Sequence, residues 1–196
     1  MKRQKRKKPK SLIYLASQSP RRKELLRQWG VPFQVVPSSY REKPTRRISP
    51  SRLVTKHALG KARGVSLRRR TGVVLGADTI VCCRGRILGK PRNRKDAFRM
   101  LSFLSGRPHY VYTGIALISL KTQRTLTGYV KTKVFFKKLM PRDIENYLGS
   151  INPLDKAGSY AVQEGKKIVQ RIEGPYSNVI GLPVELLLKM LKKIII

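Results

Sequence analysis

Asp78 stands inside an apolar run, Val73-Val74-Leu75-Gly76-Ala77-Asp78-Thr79-Ile80-Val81, in a chain with 44 Lys+Arg and only 10 Asp+Glu. A carboxylate drawn between apolar residues needs a cation, a metal or hydrogen-bond donors, because an unpaired charge is costly to take out of water. Residues able to compensate it recur at loop positions: Ser17-Gln18-Ser19-Pro20-Arg21-Arg22, Glu42 between Arg41 and Lys43, and Lys90 fixed between Gly89 and Pro91. A metal-capable acid among several cations is the inventory of a site for a metal-bound polyphosphate. Ser17 to Arg22 reads as a strand-loop-helix junction, and a helix start offers free N–H groups and partial positive charge to phosphate. Arg21 and Arg22 add charge-assisted donors, although Ser-Pro-Arg-Arg is also an ordinary helix start.

The remaining candidates each carry two readings. Glu42 alone is a surface ion pair. Paired with Asp78 it is a second ligand for a hard divalent cation, since Mg²⁺ takes one or two carboxylates plus substrate phosphates. Lys61 is either a phosphate contact or a solvated lysine. Asp155, Lys156, Tyr160 and Gln163 lie close together in a Gly-bearing segment. The Gln163 amide, a paired donor and acceptor, suits a base edge, and the same segment alone reads as a plain turn.

Other chemistries drop out. Gly85 to Lys90 is one residue short of a P-loop, and Pro91 stands where Ser or Thr would bind magnesium. No G-x-G-x-x-G follows a strand, so a dinucleotide-binding fold is unsupported. His57 and His109 lie on separate elements without a G-x-S-x-G, and are read as structural. Cys82 and Cys83 are neighbours that point to opposite faces of a strand, which suits two thiols in a reducing compartment better than a metal site or a disulfide.

The elements that position these residues follow from capping and periodicity. Ser19-Pro20 and Ser49-Pro50 are cap-then-proline helix starts. The first helix runs to Trp29 and stops at Gly30; the second ends at Arg68-Arg69-Arg70 and Gly72. Strands are expected at Leu12 to Leu15, Phe33 to Val36, Val73 to Val81 and Ile168 to Ile172. Tyr110 to Leu120 and Leu126 to Phe136 read as an antiparallel pair joined at Lys121 to Arg124. Helices are expected from Asn93 or Lys95 to Leu104, from Pro141 and from Pro183. The fold class is therefore α/β, with a mixed, largely covered central sheet and flanking helices.

At 196 residues with 40% hydrophobic content the chain can bury one core. The net charge of +34 predicts attraction to polyanions. Residues 1–10 hold seven Lys/Arg and read as a disordered basic arm with a weak polyanion contact or simple solvation, ahead of a single domain over 11–196. No apolar stretch suits a signal peptide or a membrane span, so a soluble cytoplasmic protein is expected.

Taken in order, several phrases resemble the Maf family of nucleoside triphosphate pyrophosphatases. They are Leu15-Ala16-Ser17-Gln18-Ser19-Pro20-Arg21-Arg22, Lys61-Ala62, Gly76-Ala77-Asp78-Thr79-Ile80-Val81, Gly89-Lys90-Pro91, Leu104-Ser105-Gly106, Pro153-Leu154-Asp155-Lys156-Ala157-Gly158 and Gly181-Leu182-Pro183. The resemblance implies an ITPase-like two-lobed architecture with a cleft. It implies hydrolysis of a nucleoside triphosphate to the monophosphate and pyrophosphate with a divalent metal, Mg²⁺ or Mn²⁺. Such activity removes non-standard or excess nucleotides. The family's general base matches Asp78, and Glu42 and Lys90 match further active-site positions. The subgroup acting on dTTP and UTP uses an Arg, a Thr and a Gln that match Arg21, Thr79 and Gln163. Ser17, Arg22, Lys61 and Lys156 complete the expected substrate contacts, with Glu42 and Asp78 as metal ligands. Members often form dimers, so a homodimer is implied. Two positions depart: Arg41 stands where the family commonly has an acid, and Glu164 where many members have glycine.

A basic nucleic-acid-binding protein is the competing expectation. It explains residues 1–10 but not the ordered motifs, and the chain lacks the clustered aromatics interleaved with basic residues that single-strand binders use for stacking.

Overall fold

Two Ser-Pro pairs fix where the first helices begin. In the computed structural model, which describes residues 11–42, 48–164 and 168–194, the Ser19 hydroxyl accepts from the Arg22 N–H at the start of α1 (Pro20–Gln28). Ser49 does the same for Arg52 at the start of α2 (Pro50–Ser66), and Asn93 caps α3 (Arg94–Leu104) by accepting from Asp96. Each cap satisfies a backbone donor that the helix cannot. α4 (Pro141–Ser150), α5 (Tyr176–Ile180) and α6 (Val184–Ile194) complete the helices among the described residues. The expected basic arm at 1–10 lies outside the described residues.

The strands are β1 (Ile13–Leu15), β2 (Phe33–Val35), β3 (Val73–Cys83), β4 (Arg86–Leu88), β5 (Pro108–Ser119), β6 (Thr125–Phe136) and β7 (Val169–Glu173). They form one sheet in the order β2-β1-β3-β5-β6-β7, with β4 paired to β3. β1 runs parallel to β2 and β3, and the other pairings are antiparallel, so the sheet is mixed as expected. Sequence periodicity did not point to β4 or α5. β4 follows a tight turn in which Arg84 and Gly85 have φ of 47° and 75°. β3 outruns its neighbours: β1 pairs with Val73 to Leu75 and β4 with Val81 to Cys83. Asp78 and Thr79 lie in the gap between them.

Alternation along β3 divides the side chains between two faces. On one face Val73, Leu75 and Ala77 pack with Leu25, Leu26, Leu187 and Leu191 of α1 and α6. Farther along that face Val81 and Cys83 pack with Leu101, Leu104, Ile144 and Leu148 of α3 and α4. Between these two cores runs a polar seam. The Asn178 amide donates to the Val111 carbonyl at 3.1 Å and to Thr132 Oγ1 at 2.9 Å, and Thr113 Oγ1 donates to the Asn178 carbonyl at 2.9 Å.

The opposite face of β3, with Val74 and Asp78, carries α2, whose Ala58, Ala62 and Val65 form a third core. α2 lies almost on the backbone of the sheet. A Cβ built on Gly76 would sit 2.1 Å from the Ala58 carbonyl oxygen, and one on Gly114 would sit 2.5 Å from the Val54 carbonyl carbon. Both contacts are with backbone, so neither can be relieved by a rotamer change. Gly76→Ala should therefore cost about 1–3 kcal/mol through overpacking. Urea unfolding checks this against Gly89→Ala, where an added Cβ meets nothing within 4 Å; equal stability of the two variants would contradict the close approach.

Candidate active site

The gap beside Asp78 opens into a cavity of about 560 Å³, a volume suited to a small organic ligand. Its walls come from the α1 start, the segment before α2, α2 itself, β3, the Gly89-Lys90 turn and the segment around Lys156. Ser17, Arg21, Arg22, Glu42, Lys61, Asp78, Thr79, Lys90, Lys156 and Gln163, gathered from across the sequence, all line this one cavity.

Its centre is a lysine between two acids. Lys61 Nζ, carried by α2, lies 2.6 Å from Asp78 Oδ1 and 2.6 Å from Glu42 Oε1. Lys61 thus faces the carboxylates directly. Asp78 is 5% exposed, and its Oδ2 is buried with no hydrogen-bond partner. Burial pushes the Asp78 carboxyl above its usual range, against the pull of Lys61 and Arg22. Burial also pushes Glu42 up, but Lys61, with His57 and Lys90 behind it, outweighs this and holds Glu42 below its usual range. Two carboxylates sharing one lysine are therefore driven apart by their depth.

This donor set fits a hard divalent cation. The oxygens are carboxylate oxygens, Asp78 Oδ2 is unpartnered, and no group of three His, Cys, Asp or Glu side chains gathers among the described residues. Mg²⁺ and Mn²⁺ accept such a set, one or two carboxylates supplemented by substrate oxygens.

On the other wall Arg22 is held from three sides. Its Nε donates to the Gly181 carbonyl at 2.8 Å, Nη1 to Ser17 Oγ at 3.0 Å and Nη2 to Thr79 Oγ1 at 3.1 Å. Thr79 Oγ1 is also 3.0 Å from Thr113 Oγ1. Because Arg22 can only donate and the Asn178 carbonyl can only accept, the chain runs one way: Arg22 to Thr79 to Thr113 to Asn178. The Thr79 hydroxyl hydrogen points into the seam.

Arg21 and Lys156, both expected at substrate, converge on Asp155. Arg21 Nη1 donates to Asp155 Oδ2 at 2.9 Å and Nη2 to its carbonyl at 3.2 Å. Lys156 Nζ donates to Asp155 Oδ1 at 2.9 Å and to the Asn152 carbonyl at 2.7 Å. Burial would raise the Asp155 carboxyl, but these two cations hold it below its usual range. Sequence reasoning grouped Asp155 with Lys156, Tyr160 and Gln163 but gave it no role of its own. Tyr40 was missed. It lines the cavity, its hydroxyl lies 3.0 Å from His57 Nδ1, and Gly60 makes room for its ring. Lys90 and Gln163 stand exposed on the cavity wall, as Arg41 and Glu164 stand exposed nearby.

His109 is structural, as expected. It is fully buried, its Nε2 lies 2.9 Å from the Tyr160 hydroxyl, and burial lowers its pKa to about 4, so it stays neutral. Both cysteines are free, Cys83 in the core and Cys82 half-buried.

Residues 12–194 match the family model described as Maf-like protein. The chain is 48% identical over 182 residues to the dTTP/UTP pyrophosphatase of Bacillus anthracis, covering 92% of this chain and 94% of that one. A Bacillus cereus dTTP/UTP pyrophosphatase is also 48% identical, covering 92% and 89%. Among solved structures, the Staphylococcus aureus Ham1 protein superposes with a TM-score of 0.51 at 12% identity, over 93% of this chain and 98% of that one. At that identity the likeness speaks for the fold alone. With a family model matched from residue 12 to residue 194 and relatives at 48% identity over 92% of its length, the chain belongs to the Maf family.

Proposed function

We propose that the chain is a nucleoside triphosphate pyrophosphatase that converts dTTP or UTP, with one water, to the monophosphate and pyrophosphate. The observation that carries this reading is the buried Asp78 carboxylate, its Oδ2 unpartnered, in a cavity that also holds Lys61, Arg21 and Lys90. The activity named for the relatives supports the pyrimidine substrates. Among the described residues no helix is long and apolar enough to cross a membrane, and a cytoplasmic, homodimeric house-cleaning enzyme is the setting we propose.

Asp78 orients the attacking water and takes its proton as the oxygen bonds to the α-phosphorus. The bond from that phosphorus to the bridging oxygen breaks, and pyrophosphate leaves with its electron pair. Lys61 keeps Asp78 ionised enough to act as a base, opposing the effect of burial. Lys90 and Arg21 bring positive charge to the triphosphate, and Arg22 holds Ser17 and Thr79 in place. When bound by Asp78 and Glu42, a divalent cation would neutralise phosphate charge that develops as the anhydride breaks. Most of the acceleration comes from positioning and electrostatics, as is general for phosphoryl chemistry. Arg21, Thr79 and Gln163 set the choice of base, Gln163 through its amide and Thr79 through its hold on Arg22.

A nucleotide panel assayed for pyrophosphate with Mg²⁺ or Mn²⁺ tests the function: dTTP and UTP should turn over fastest, and no turnover of either would overturn it. Asp78→Asn should lower kcat on the order of 10²-fold or more. The same variant has a signature in stability. Because burial raises the folded-state pKa of Asp78, the wild type loses stability as pH rises from about 4 through that pKa, and the asparagine variant does not. Thermal melts of the two proteins across pH should show the variant gaining on the wild type over that range; the opposite trend would show that Asp78 is not held against its burial.

A further inference from the structure

Sheet pairing assembles a surface that the linear sequence hides. Tyr110 sits opposite Lys133, Tyr112 opposite Lys131, and Gly114 opposite Tyr129 on β5 and β6, while Phe135 of β6 sits opposite Arg171 of β7. Strand alternation sends these side chains to the face that carries α2. But α2 begins at Pro50 and its first turns already press on Gly114. Beyond that point no helix among the described residues covers the face, on which Tyr110, Tyr112, Lys133 and Phe135 are half-buried. Tyr129 is 49% exposed, and its ring stacks beside that of Tyr112 with centroids 6.5 Å apart and an interplanar angle of 30°. Lys131 Nζ lies 3.8 Å from the centre of the Tyr110 ring and 5.8 Å from that of Tyr112. Arg171 lies 3.9 Å and Lys133 4.8 Å from the centre of the Phe135 ring. The one acid on this patch, Glu173, is paired with Arg171 at 3.1 Å. None of these residues lines the catalytic cavity.

We propose that this face of β5, β6 and β7 binds single-stranded nucleic acid, bases on the aromatic rings and phosphates on Lys131, Lys133 and Arg171. Aromatic rings interleaved with cations on an open sheet are what an unpaired strand needs, since each base offers a π-face and each linkage a negative charge. A duplex hides its bases and would use the cations alone. A second copy of the chain would bring a like-charged face against this one, in a protein of net charge +34. The inference stands apart from the proposed hydrolysis, and it gives a use to charge that hydrolysis does not need. It also revises the expectation that aromatics and basic residues do not interleave here. They do so across strands, not along them.

Fluorescence anisotropy on the full chain tests it, with a labelled single-stranded DNA of about 12 nucleotides, the same sequence as a duplex, and inorganic polyphosphate as a base-free competitor. Tyr129→Leu/Phe135→Leu removes the rings while leaving apolar side chains and every charge. It should weaken single-strand binding roughly tenfold or more, with dTTP turnover, melting temperature and polyphosphate binding unchanged. Lys131→Gln/Lys133→Gln should lower the slope of log affinity against log salt by about 1.4. Three results would overturn the proposal. The leucine variant could bind the single strand as the wild type does, duplex and polyphosphate could bind as tightly as the single strand, or either variant could convert a dimer to a monomer in sedimentation, which would make the face a contact between copies.

Discussion

One ammonium group between two carboxylates organises the molecule. Lys61 meets Asp78 and Glu42 at 2.6 Å each, and almost every distinctive feature nearby serves that meeting. Asp78 can be buried only because a cation reaches it inside the sheet layer. Lys61 reaches it only because α2 lies on bare backbone at Gly76 and Gly114. The contact is poor evidence for stability, since a buried ion pair often does no better than apolar packing, yet breaking one partner typically costs about 3–5 kcal/mol. Its retention in so basic a chain is better understood through chemistry. It leaves Asp78 with one oxygen bonded and one free, the arrangement that the proposed base and metal ligand requires.

A second constraint ties the two cores of the other face together. Thr79, Thr113, Thr132 and Asn178 lie where the core built on α1 and α6 meets the core built on α3 and α4. Their hydrogen bonds have a fixed direction, begun by Arg22 and ended at the Asn178 carbonyl. Every hydroxyl in this network and the Asn178 amide N–H₂ is paired, and within it Asn178 Oδ1 alone is buried without a partner. The network fixes the position of Arg22, at the wall of the cavity, relative to the strand that carries Asp78. The two cores of that face and the wall of the cavity are therefore joined by one network.

Much of this was legible in the sequence. Ser19 and Ser49 announced their helices because a cap is a local interaction. Asp78 stood out because a charge in an apolar strand needs a reason. The sequence did not show that Lys61 would sit on both acids, that Arg21 and Lys156 would share Asp155, or that Tyr40 would fill the space at Gly60. Those depend on which residues of different elements come opposite one another, and register and helix approach are settled by packing over the whole sheet. β4 is three residues long and α5 five, too short for periodicity to register. The aromatic and basic side chains of β5 to β7 were invisible as a cluster for the same reason: their neighbours lie across strands.

The dependence of Asp78 on Lys61 is open to direct measurement in the pH profile of kcat/KM for pyrophosphate release from dTTP, with magnesium held constant, for the wild type and Lys61→Gln. Lys61 lowers the pKa of Asp78 against its burial. Without the ammonium, the acidic limb of the profile should move to higher pH. A limb that stays where it is in the wild type would mean that this ion pair does not govern the reacting carboxylate.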